Sequence, residues 1–138
     1  MKRPLTDTST HQPCPCGSHL RLADCCGAVI AGRRAADTAV ALMRSRYTAY
    51  VLGDADYLLR TWHLGTRPAG LALDDGPKWI GLRILAADAG GPGDDTGSVE
   101  FVARYRVGGR AQRLHEISRF ERHDGRWYYV DGTTDSAS

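Results

Sequence analysis

No run of this sequence is apolar for long enough to span a bilayer. The stretch Met1 to Pro13 is polar, with Lys2 and Arg3 but no apolar segment of the kind a secretory leader needs, so the expected location is cytoplasmic. Lysine is nearly missing: Lys2 and Lys78 are the two lysines among 18 basic residues. Arginine supplies the rest and suits planar carboxylates or phosphates, although a GC-rich genome gives the same bias without functional meaning. Against 16 acids the formal net charge is +2, which argues against a dedicated non-specific DNA binder. No Walker loop, Rossmann fingerprint, nucleophile elbow or HExxH occurs, so no motif announces a reaction class. Cysteine is absent after residue 26.

All four cysteines therefore sit in one short segment, Cys14-Pro-Cys16-Gly-Ser18 and Cys25-Cys26-Gly27, in the pattern CxC, eight residues, CC. Two tight pairs joined by a turn can bring four thiolates to one point, as a closed tetrahedral Zn²⁺ site requires. Neighbouring residues within a pair are badly aimed for a bridge, and reduced cytosolic thiols more often bind metal or do redox work. A structural zinc ion is the expectation, with a redox or iron-binding role as the alternative. His11 and His19 lie near enough in sequence to replace one cysteine, but four thiols do not need them. Pro15 stiffens the turn and Gly17 permits a backbone conformation that aims amide N–H groups at sulfur. Leu20, Leu22 and Ala23 are expected to form an apolar turn that delivers Cys25 and Cys26, with Gly27 ending it.

Beyond Arg33 the pattern turns helical. Asp37 or Thr38 can cap a helix whose apolar face is Val40, Met43, Tyr47 and Tyr50 or Val51, and Gly53 stops it. Asp54 or Asp56 starts a second helix that packs Leu58, Leu59 and Trp62 inward. Period two then sets in: strands are expected over Trp79–Ala87, Val99–Val107, Gln112–Arg122 and Arg126–Val130. They are joined by the Gly-rich loop 90–97 and by the turns Gly108-Gly109 and Asp124-Gly125. Four antiparallel strands after two helices give an α+β fold, helices packed on one face of a curved sheet. The boundaries that follow are 1–13 for a flexible tail, 14–32 for the metal knot and 33–138 for the α+β domain.

The cysteine segment resembles the SEC-C motif, the zinc-binding tail of the bacterial preprotein translocase SecA. Leu42-Met-Arg-Ser-Arg-Tyr-Thr-Ala-Tyr-Val51 and Thr61-Trp-His63 resemble the YchJ family, in which a SEC-C segment precedes a nuclear-transport-factor-like domain. Trp79-Ile-Gly-Leu82, Leu114-His-Glu-Ile-Ser-Arg-Phe120 and Trp127-Tyr-Tyr-Val-Asp-Gly132 extend the similarity over nearly the whole chain. The resemblance implies a cystatin- or nuclear-transport-factor-like cone whose concave face often encloses a pocket. It implies no settled biochemical role. Because the SEC-C segment of SecA engages a chaperone, a protein partner for the knot is implied by analogy.

Alternation names the side chains that could line such a cone. Leu114, Glu116, Ser118 and Phe120 share one face of the third strand, and a carboxylate between Leu and Phe is costly to bury without a partner. Glu116 is thus the first candidate, either ion-paired with Arg44, Arg46 or Arg104, or facing a cavity as acid, base or ligand anchor. Arg46, Tyr47, Tyr50, Trp62, Tyr105 and Ser118 complete the candidate pocket, and His63 is a candidate proton-transfer partner should it converge there with Tyr105. The leading reading is an adaptor or small-ligand-binding protein: the knot contacts a protein, and the cone holds a small molecule or docks a protein. The alternatives are a small isomerase, dehydratase or hydrolase using Glu116, and a nucleic-acid or ribosome contact through the knot and the arginines. The arginines on the strands, with Glu100 and Glu121 nearby, read as an ordinary solvated sheet face.

Overall fold

The computed structural model describes residues 12–73 and 76–134. A 3-10 turn, Leu22–Asp24, leads into α1 (Cys26–Ile30), α2 (Ala39–Leu52) and α3 (Ala55–Arg60). Four strands follow: β1 (Lys78–Ala89), β2 (Thr96–Val107), β3 (Arg110–His123) and β4 (Arg126–Thr134). The sheet is antiparallel in the order β1-β2-β3-β4, so each strand lies beside its sequence neighbour. The result is three helices on one face of an open four-stranded sheet, the expected α+β arrangement.

Local chemistry sets the element ends. The Thr38 hydroxyl accepts from the Ala41 amide at 3.0 Å, and Gly53 ends α2 with φ 74°. Asp54 then caps α3 by accepting from the Tyr57 amide at 3.0 Å. Both two-residue hairpin turns hold consecutive left-handed residues, Gly108 and Gly109 (φ 59° and 80°) and Asp124 and Gly125 (φ 54° and 79°). That geometry matches the natural twist of paired strands.

The main core lies between α2 and the concave face of the sheet. Leu42, Met43 and Tyr47 pack on Val99, Phe101, Ala103, Phe120 and Trp127. Helix α2 is buried on more sides than a single apolar stripe implies, because Ser45, Arg46 and Thr48 are buried too. The Ser45 hydroxyl lies 2.8 Å from the Leu42 carbonyl, to which it donates, and 2.6 Å from the Tyr57 hydroxyl. Those contacts satisfy the groups that a buried hydroxyl would otherwise strand. Val51, by contrast, is exposed, so the apolar stripe of α2 ends on Tyr50. Gly27 does not end the cysteine turn as its position suggested. It lies inside α1, where a Cβ would come within 2.6 Å of the Leu22 carbonyl oxygen, so glycine there permits a close approach. Leu20 also stays out of the turn and is exposed.

The loop from β1 to β2 closes on the start of α2. A Cβ on Gly97 would overlap the Gly90 backbone, 2.7 Å from its nitrogen, and one on Gly90 would meet the Ala39 Cβ at 2.8 Å. Ala39 also donates its amide to the Gly90 carbonyl at 3.0 Å. Gly97→Ala should therefore destabilise the fold by about 2 kcal/mol, because backbone must move. Gly93→Ala, with nothing within 4 Å, should change the urea midpoint little. Equal midpoints for the two variants would show that Gly97 is not held against the Gly90 backbone.

Candidate functional site

Residues 12–26 fold back on themselves before α2 begins. Cys14 donates its amide to Leu20 O at 2.8 Å and Leu22 to Gln12 O at 2.8 Å, while Gly17 takes φ 87° at the tip. The 3-10 turn then carries Cys25 and Cys26 round, and all four Sγ atoms lie within 4.8 Å of one another. None is in a disulfide, and Cys14, Cys16 and Cys26 are buried. Cys16 Sγ and Cys25 Sγ are 3.7 Å apart. Tetrahedral ligation at about 2.3 Å per bond gives sulfur–sulfur edges of about 3.8 Å, so the donor set fits a zinc-sized cation. His19 is exposed and outside the cluster; His11 lies outside the described residues.

Helix α2 supplies the surroundings of the thiols. Arg44 Nη1 donates to Cys16 O at 3.0 Å and approaches Cys16 Sγ at 3.7 Å. Thr48 Oγ1 lies 3.6 Å from Cys14 Sγ, and Ser18 Oγ lies 3.1 Å from Cys25 Sγ. Leu82 of β1 also packs against the cluster. Hydrogen bonds from Cys14 and Cys26, with smaller ones from Ser18 and Arg44, hold the Cys16 thiol far below its ordinary value. The same hydrogen bonds push Cys26 up, and burial raises both Cys26 and Cys25. Holding all four sulfurs as thiolates at one point would call for a cation. Arg44, read from sequence as a surface or acid-paired arginine, belongs to this site. Its signal was the four-residue step to Thr48, which puts both on one face of α2.

A second site opens between α2 and the sheet, a cavity of about 170 Å³. Arg46, Tyr47, Tyr50, Glu116 and Ser118 all line it, together with the walls Trp79, Leu114 and Tyr129. Arg46 is 3% exposed. Its Nη1 donates to Leu58 O at 2.8 Å and to Thr61 Oγ1 at 2.7 Å, and its guanidinium lies 4.5 Å from the Tyr129 ring centroid and 5.0 Å from that of Trp62. Its Nε and Nη2 have no hydrogen-bond partner among the described residues. Burial draws its pKa down to about 10, still a cation at neutral pH.

Glu116 makes no ion pair among the described residues; its partner is Ser118, whose Oγ donates to Oε2 at 2.5 Å. The Glu116 carboxylate lies over Gly132, where any Cβ would collide with it. Two opposite charges thus face one cavity without pairing. Burial raises the hydroxyls of Tyr50 and Tyr129, the latter also through the Glu116 charge. Burial pushes Tyr47 up to about 12. All three phenols therefore remain neutral at neutral pH.

Three of the candidates stand elsewhere. Trp62 lies behind the pocket wall, 5.1 Å from the Tyr129 ring, and its buried Nε1 has no partner among the described residues. Tyr105 stacks on Trp79 at 5.2 Å from outside the cavity. His63 does not converge on Glu116. Its Nε2 is 3.3 Å from Glu121 Oε1, which also bonds His123 at 2.9 Å. The Gly65 amide donates to His63 Nδ1 at 2.9 Å, so in the neutral ring the proton is on Nε2, facing Glu121. That tautomer leaves Nε2 a donor and no metal ligand. Trp79, Tyr129 and Gly132 were not singled out from sequence; the register Trp79 to Tyr105 and the pairing of Phe120 with Tyr129 place the two aromatics on the inner face.

The comparisons with known proteins agree with this fold. Residues 38–132 match the family model described as YchJ, middle NTF2-like domain. A UPF0225 protein of Chromobacterium violaceum is 57% identical over 123 residues, covering 86% of this chain and 90% of that one. A UPF0225 protein of Streptomyces coelicolor is 57% identical over 120 residues, covering 87% and 94%. Among solved structures, a SEC-C motif containing protein from Rhodopseudomonas palustris superposes with TM-score 0.78 at 39% identity, over 88% of this chain and 98% of that one. Another from Psychrobacter arcticus gives TM-score 0.76 at 26% identity, over 95% and 87%. A thiol cluster ahead of an NTF2-like sheet, in a chain with these relatives, makes this protein a member of the YchJ (UPF0225) family.

Proposed function

We propose that this protein binds a small ligand in its cone pocket and carries a structural Zn²⁺ ion on Cys14, Cys16, Cys25 and Cys26. The observation that carries the reading is the pair of unpaired charges, Arg46 and Glu116, facing one aromatic cavity. An ion pair would have been the cheaper use of a buried cation and a half-buried carboxylate, so holding them apart suits a guest that takes hydrogen bonds from one and gives them to the other. A cavity of about 170 Å³ is small beside drug-sized pockets and holds the volume of roughly six waters. The ligand class is a compact, largely apolar or aromatic molecule with one amide-like or hydroxy-acid end. Reduced thiols belong with a cytoplasmic location, and no helix among the described residues is long and apolar enough to cross a membrane.

An enzymatic use of Glu116 has weaker support, because His63 is engaged with Glu121 and the nearby tyrosines are held neutral by burial. The knot has no open coordination position when four thiolates ligate one ion, so its metal is structural and takes no part in chemistry. A partner contact by the knot would use its outer side, where Leu20 is exposed, since its inner side packs on α2 and Leu82.

Elemental analysis of purified protein should find one zinc per chain. Cys16→Ser should lose it, and amide exchange should show residues 12–32 open while the sheet stays protected. Iron in place of zinc, or collapse of the sheet, would reject the assignment or the boundary at residue 33. For the pocket, Glu116→Gln should leave stability unchanged or raise it by about 1 kcal/mol, since no ion pair is lost. A panel of small hydroxy acids and aryl amides followed by NMR should shift the Trp79 indole and Arg46 signals in the wild type. The shifts should vanish in Leu114→Trp, which fills the cavity. A marked loss of stability in Glu116→Gln, or shifts that survive the filled cavity, would count against the reading.

A further inference from the structure

The convex face of the sheet, away from the helices, carries Lys78, Arg83, Arg104, Arg106 and Arg113, all exposed. The register sets Lys78 opposite Arg106 and Arg104 opposite Arg113. Directly opposed residues on antiparallel neighbours point the same way with Cβ atoms about 5 Å apart, so like charges face each other at a cost in stability. Among the described residues none of the five has an ion pair. Glu100 and Glu121, the acids expected to balance them, are engaged elsewhere, and so is Asp131. Glu100 bonds His115 at 2.7 Å, Asp131 takes two hydrogen bonds from Arg119 at 2.7 Å each, and Glu121 bonds His123 at 2.9 Å. This end of the face is therefore not the ordinary mixed-charge surface that the sequence suggested.

The ground between the cations is apolar. Arg83, Arg104 and Arg113 border a shallow groove whose apolar lining includes Leu85 and Val102. Leu85 and, farther along the face, Ile117 are each 45% exposed. No aromatic side chain lines the groove, so nothing there stacks a nucleobase.

We infer that this face docks an acidic segment of a partner protein, one in which carboxylates alternate with aliphatic side chains. Guanidinium forks match carboxylates in two-point contacts, and the apolar floor takes the intervening side chains. A phosphate backbone would satisfy the cations but leave the leucine and valine surface without use. A second copy of the chain fits poorly, because a two-fold contact would lay the five cations against themselves.

The test is fluorescence anisotropy on the full chain with a labelled synthetic peptide of about a dozen residues, glutamate alternating with leucine. Saturable binding is expected, about tenfold weaker on raising salt from about 50 mM to about 0.3 M. It should weaken about tenfold in the exposed double variant Arg104→Glu/Arg113→Glu, and again when serine replaces leucine in the peptide. Arg83→Glu/Arg106→Glu provides an independent reading should the first variant fold poorly by circular dichroism. Glu116→Gln should bind the peptide like the wild type, which separates this surface from the cone pocket. Several results would overturn the proposal: no binding at about millimolar peptide, affinity unchanged by both charge reversals, an oligouridylate of equal charge binding as tightly, or a wild-type dimer that the reversals dissociate.

Discussion

One nitrogen of Arg46 donates to both the Leu58 carbonyl and the Thr61 hydroxyl, while the guanidinium carbon of the same group lies over the rings of Tyr129 and Trp62. A guanidinium removed from water needs these contacts, and each of them fixes a different piece of chain. Leu58 belongs to α3, Thr61 to the segment after it, and Tyr129 to β4. The segment after α3 is held to β4 in turn: Tyr129 donates its amide to Thr61 O at 2.9 Å and His63 to Tyr129 O at 2.7 Å. Around this centre α2 turns Ser45 to Tyr57, and Arg44 and Thr48 to the cysteines. The helix is thus a hub of buried hydrogen bonds as well as an apolar lid.

That double role explains what could be read in the sequence and what could not. Helices α2 and α3, the strands and their hairpins were legible because each has a local cause: a capping hydroxyl at Thr38, glycines at 108 and 109, an Asp-Gly at 124 and 125. The gathering of cysteines was legible from spacing alone. Arg44 was not, because its partners are a backbone carbonyl and a sulfur 28 positions away, and pattern rules pair arginine with acids. The place of His63 was not legible for a related reason. Nothing local says whether a histidine after Trp62 faces the cavity or the sheet rim, and the bridge between Trp62 and Tyr129 decides it. Alternation did place Glu116 and Ser118 together, but it carried no information about Gly132, whose missing side chain makes room for the carboxylate.

Charge is distributed unevenly over the two faces of the sheet, and the near-neutral total conceals it. Inside the cone one cation and one anion face an apolar space. Outside, cations gather at one end, and the acids at the other are already bound to His115 and Arg119. Both arrangements cost stability in the free protein. Both are the kind of local conflict between residue choice and fold that marks sites of interaction. The sheet that separates them pairs β2 with β3 in a ladder without a register shift. Each face can therefore be altered with little disturbance to the other.

The packing of the cysteine segment on Leu82 has a consequence for the order of events during synthesis. The thiols leave the ribosome well before the helix that gives them Arg44 and Thr48, and before the strand that covers their apolar side. In that interval the amino-terminal piece has its sulfur atoms but none of its neighbours. Were the thiols to hold a metal ion, a nascent chain that captured it early would present a finished seat for α2 to land on. One that captured it late would have to open a closed interface first.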